Sequence, residues 1–115
     1  ENHWMRMSAQ RFREVDEREV EEFISSPEWV DMFAHVKRSF AGPFGLGLKV
    51  VAPEAGFTWP EEDFDGEESV NARREALAGD FVARQRLLDY NSGDVQATLA
   101  VREWMDAGAP GTTAL

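Results

Sequence analysis

The chain contains no cysteine, so disulfides and thiolate metal sites are excluded. That absence fits a cytoplasmic protein. Two histidines, His3 and His35, lie too far apart in sequence to suggest a zinc pair. No apolar run approaches the roughly 20 residues needed to span a bilayer. Basic residues are scarce: 12 Lys and Arg stand against 22 Asp and Glu, giving a net charge of −10. Affinity for a polyanion comes mainly from cations that displace counterions, so this balance argues against a continuous nucleic-acid grip. The acids are concentrated, however, in Glu14–Glu22 and Glu61–Glu68. Outside these stretches Arg73, Arg74, Arg84, Arg86 and Arg102 could still form a local basic patch.

What is present points to a folded domain. Of the 115 residues 43% are hydrophobic, including eight Phe and four Trp, enough for a modest core and too apolar for a disordered segment. Trp4, Trp29 and Trp104 are the expected core anchors. Trp4, Met5, Ser8 and Phe12 fall on one mostly apolar face and predict a first helix. Asp16 and Glu19 read as a capping box for a second, which Ser25-Ser26-Pro27 stops. Trp29-Val30 reads as a short strand, followed by a helix from Met32 to Phe40 with Asp31 as its cap. Leu46–Ala52 fits helix or strand, with Pro53 marking its end. Helices are expected over Glu67–Leu77, from Asp80 to Tyr90 and over Asp94–Met105, with a break at Asn91–Gly93. Residues 109–115 are expected to be a disordered tail. Asp63-Phe64-Asp65-Gly66 has the look of a calcium loop, but Ala72 falls where the bidentate Glu is needed.

The chain has one tyrosine, Tyr90, and Asp94 follows it by four residues. On a continuous helix this spacing puts phenol and carboxylate on one face. A carboxylate can hold Mg²⁺ or Mn²⁺, and a neutral phenol can aim an attacking water, the combination phosphodiester hydrolysis requires.

Three stretches in order carry a resemblance: Glu21-Glu22-Phe23-Ile24-Ser25-Ser26-Pro27-Glu28-Trp29-Val30-Asp31, then Gly45-Leu46-Gly47-Leu48-Lys49-Val50-Val51-Ala52-Pro53-Glu54-Ala55-Gly56-Phe57, then Tyr90-Asn91 with Asp94-Val95, Ala97-Thr98 and Trp104. Together they resemble the RNase H-like (DnaQ-like) 3′-5′ exonucleases of the Tyr-x-x-x-Asp type, and within them the predicted RecB-family nucleases. The resemblance implies an α/β fold, of which residues 1–108 would be the C-terminal half, itself predominantly helical with little strand. It implies that Asp94 ligates a catalytic Mg²⁺ or Mn²⁺, that Tyr90 orients the water, and that Glu1 matches the carboxylate of the family's second motif. Nucleic acid would be the partner. The Asp-x-Glu strand that opens such domains is not in this sequence, so the chain alone is expected to be inactive or very weak. Where the family tends to show an aromatic pair, this chain has Ala72-Arg73. The alternative is a helical protein-interaction module without catalytic activity, its uncovered apolar faces met by self-association or by the missing N-terminal half.

Overall fold

A computed structural model describes residues 1–61 and 64–114, so Asp63 of the rejected calcium loop lies outside the described residues. These residues form six helices: α1 (Asn2–Phe12), α2 (Glu17–Ile24), α3 (Met32–Ser39), α4 (Leu48–Glu54), α5 (Gly66–Leu77) and α6 (Phe81–Asp106). The chain divides into two compact units, Glu1–Asp31 and Met32–Leu115.

In the first unit α1 and α2 pack on each other and bury Ala9 and Val20. Helix α1 ends where Arg13 turns left-handed and its N–H bonds the Ala9 carbonyl. Asp16 caps α2 by accepting from the Arg18 N–H at 2.8 Å, while Glu17 and Glu19 place negative charge at the positive end of the helix dipole. The Arg6 guanidinium donates to both Glu21 oxygens and holds that carboxyl below its ordinary range. The expected strand at Trp29-Val30 is not formed. A strand needs a ladder partner. Instead the Trp29 indole N–H bonds Asn2 Oδ1 at 2.7 Å, and its ring meets Phe23 edge-on. Trp4, expected in the core, is 72% exposed.

Helix α6 is the spine of the second unit, with α4 and α5 packed against it. Its buried residues Gly93, Ala97, Val101 and Trp104 recur at intervals of four, four and three, one helical face, and the first two are small enough for close approach. Ala97, Val101 and Trp104 join Val36, Val51, Ala52, Trp59 and Ala109 in the main core. A satellite cluster contains Phe64, 1% exposed, with Ala72 and Ala83. Ala72 is thus a small residue beside which Phe64 is buried. The opposite face of α6 is also apolar, yet Phe81, Leu88, Val95 and Leu99 are exposed.

Three expectations are corrected. First, the described residues contain no strand and no sheet, so an α/β fold is not observed; the apolar segments satisfy their backbone within helices and pack helix on helix. Second, α6 runs unbroken through Asn91–Gly93. Gly93 keeps a negative φ there, and packing of an indole against its bare Cα offsets the roughly 1 kcal/mol that a helical glycine costs. Third, Pro53 lies inside α4, which extends to Glu54. The segment expected as a tail opens with Ala109, 7% exposed, and the Trp104 indole N–H donates to the Pro110 carbonyl at 3.0 Å.

Candidate functional site

Because α6 is continuous, Tyr90 and Asp94 do share a face. Asp80 starts that helix, accepting from the Val82 and Ala83 N–H groups at 2.9 and 3.1 Å. Facing the pair is Trp59, on the segment that follows α4. Its ring is 7% exposed and packs edge-on against Phe57. The Trp59 indole N–H donates to Asp94 Oδ1 at 3.0 Å, fixing the carboxylate. This contact depends on Gly93: a Cβ there would lie 2.8 Å from Trp59 Cδ1 and 3.1 Å from Nε1.

Tyr90 is half-buried, with Phe64 edge-on at 4.9 Å between ring centroids. Its phenol ionisation is pushed up, first by burial and then by the charges of Asp94 and Asp65. The hydroxyl therefore stays protonated at neutral pH and can donate or accept one hydrogen bond. Lys49, in the first turn of α4, places its ammonium 3.8 Å from the Trp59 ring centroid and 4.8 Å from that of Tyr90. Beside these rings lies a cavity of about 370 Å³ whose lining includes Trp59, Glu61, Phe64, Arg86, Tyr90 and Gln96. Arg86 sits over Phe64 and is paired through two nitrogens with the Glu61 carboxylate, which it holds below the ordinary carboxyl range.

Tyr90 and Asp94 lie together on α6 in the second unit. Glu1 belongs to the other unit, at the N-cap of α1. Of the expected basic patch, Arg73 and Arg74 lie on α5, and Arg84 and Arg102 stand five turns apart on α6, so only Arg86 reaches the cavity. Among the described residues no three His, Asp or Glu side chains group as a metal site. Asp94 has one oxygen engaged by Trp59, and Asp65 uses one to cap α5 through the Glu68 N–H. Mg²⁺ asks for near-octahedral oxygen ligation. The described residues around Asp94 do not supply it.

Trp59 and Lys49 were not legible as site residues. Lys49 stood within Gly47-Leu48-Lys49-Val50-Val51-Ala52-Pro53, but nothing in spacing ties it to a tyrosine 41 positions later.

Tyr90 and Trp59 thus line an aromatic-walled cavity, and the same two rings adjoin the indole-held Asp94 carboxylate and the Lys49 ammonium. The chain belongs to the RNase H superfamily, whose family model matches residues 5–106 and so includes the entire site. No curated protein and no solved structure matches the chain.

Proposed function

We propose that the chain supplies the Tyr90–Asp94 part of a phosphodiester-hydrolysing centre, in a nuclease of the Tyr-x-x-x-Asp 3′-5′ exonuclease type akin to the RecB-family nucleases. The observation that carries this reading is the joint placement of Tyr90 and Asp94 on one uninterrupted helix face, with Trp59 fixing the carboxylate. Asp94, held by the indole, keeps an oxygen to accept a hydrogen bond from an attacking water. Tyr90, kept neutral, donates to a phosphate oxygen or positions that water. Hydrolysis calls on more carboxylates than these residues bring together, so activity of the chain by itself is weak.

Digestion of labelled single-stranded DNA and RNA, with Mg²⁺ or Mn²⁺ supplied, tests this. Any hydrolysis should be abolished by Asp94→Asn and strongly reduced by Tyr90→Phe. Cleavage that survives Asp94→Asn undiminished would refute the assignment.

A second reading, a helical module that binds another chain, is favoured by one observation. The outer face of α6 leaves Phe81, Leu88, Val95 and Leu99 exposed. Such a stripe is normally covered. Sedimentation of the chain beside Leu88→Lys decides it: concentration-dependent association lost in the variant supports the module, and a monomer at all concentrations removes self-association.

A further inference from the structure

We propose that Lys49 is the residue that holds the substrate phosphate at the Tyr90–Asp94 site, an inference that rests on the nucleic-acid reading above and names the binding residue within it. The site is short of positive charge. Glu61, Asp65, Asp89 and Asp94 all lie on or beside it, and a phosphodiester approaching these carboxylates is repelled unless a cation receives it. Among the described residues two cations, Arg86 and Lys49, adjoin Tyr90 or its cavity. Arg86 is committed, its guanidinium bound through two nitrogens to Glu61 and seated on Phe64. Lys49 makes no ion pair among the described residues.

The position of Lys49 suits the role. Its ammonium rests against the faces of Trp59 and Tyr90, the two side chains that respectively bond Asp94 and stand one helical turn from it. Aromatic faces attract a cation without neutralising its charge, and a lysine ammonium has three donors to share between rings and ligand. The rings therefore hold the lysine in place without engaging it in an ion pair, and the N–H groups turned away from them remain available to phosphate oxygens, in a side chain that remains exposed. Helix α4 fixes the stem, because Val51 and Ala52 of the same helix are buried in the main core. The charge is thus delivered next to the carboxylate and phenol from a different element than the one bearing them.

The test is fluorescence anisotropy of a labelled single-stranded deoxyoligonucleotide with the full chain, in EDTA and over a series of KCl concentrations. Lys49→Met keeps the stem and removes the charge, while Lys49→Arg restores the charge. Circular dichroism of each variant should match the parent, since the side chain is exposed. Loss of one phosphate contact should weaken binding about tenfold at low salt and lower the slope of log Kd against log salt by about 0.7. Lys49→Arg should recover most of both. Equal affinity and slope for Lys49→Met and the parent would overturn the role of Lys49 and leave the nucleic-acid reading standing. No binding by the parent at any salt concentration would overturn both. Weakened binding with an unchanged slope would also overturn it, because the lysine would then act through packing and not through charge.

Discussion

Gly93→Ala should destabilise the protein, against the ordinary rule for a helix interior. Replacing a glycine by alanine within a helix normally stabilises by about 0.5–1 kcal/mol. At Gly93 the added methyl would sit 2.8 Å from Trp59 Cδ1 and 3.1 Å from its indole nitrogen. The ring cannot swing aside freely, because it is nearly buried, abuts Phe57 and is tied to Asp94. Overpacking of this kind costs about 1–3 kcal/mol. Displacing the indole also weakens a hydrogen bond to a partly exposed carboxylate, about 1 kcal/mol after allowance for solvent. The balance is a loss of about 1–3 kcal/mol, or a fall in Tm of roughly 4–12 °C for a chain of this size. Urea denaturation followed by circular dichroism gives the number. Gly66→Ala serves as a control, since a Cβ there meets nothing within 4 Å, and it should be neutral or slightly stabilising. In a Trp59→Leu background Gly93→Ala should recover its usual stabilising sign, because the clash is gone. Stabilisation by Gly93→Ala in the parent would refute the packing described for Trp59.

The single tyrosine makes its phenol directly readable by ultraviolet titration. Its folded midpoint should lie above the value in urea, and Asp94→Asn should lower it. Since the folded phenol is the harder to ionise, its contribution to stability is present below the unfolded pKa and is lost as pH rises through the folded one. Tyr90→Phe should therefore flatten that alkaline decline. Asp80→Ala removes the acceptor for two N–H groups at the start of α6 and should cost about 1 kcal/mol in chemical denaturation. Ala97→Leu enlarges a residue with 0% exposure in the main core and should cost about 1–3 kcal/mol by the same assay.

The helices were legible where local signals decide them. Asp16 and Asp80 are acceptors with free N–H groups two or three residues ahead, and both cap as their sequence context indicates. The break at Gly93 was misread because glycine is ambiguous: it permits a turn, but it also permits contact with an indole, and only tertiary packing chooses. The strand at Trp29-Val30 failed for a related reason, since two adjacent large apolar residues satisfy a strand pattern and an aromatic contact equally well. At the site, the Tyr90–Asp94 spacing was readable because both residues lie on one helix. Trp59 and Lys49 come from α4 and the segment after it, and their contacts to α6 across 35 and 41 residues leave no periodic trace in the sequence. Glu1 could be aligned to a motif position by sequence alone, and in the structure it is the N-cap of α1 in the first unit.

The central claim is that nucleic acid is engaged at the Tyr90–Asp94 face. The most direct measurement is a ¹⁵N–¹H correlation spectrum during titration with a single-stranded oligonucleotide in EDTA. The Trp59 indole N–H, assigned through Trp59→Phe, is a reporter already bonded to Asp94. The account predicts that this resonance and the backbone amides of residues 90–97 shift together and saturably. Shifts confined to Glu1–Asp31, or none at any oligonucleotide concentration, would contradict it.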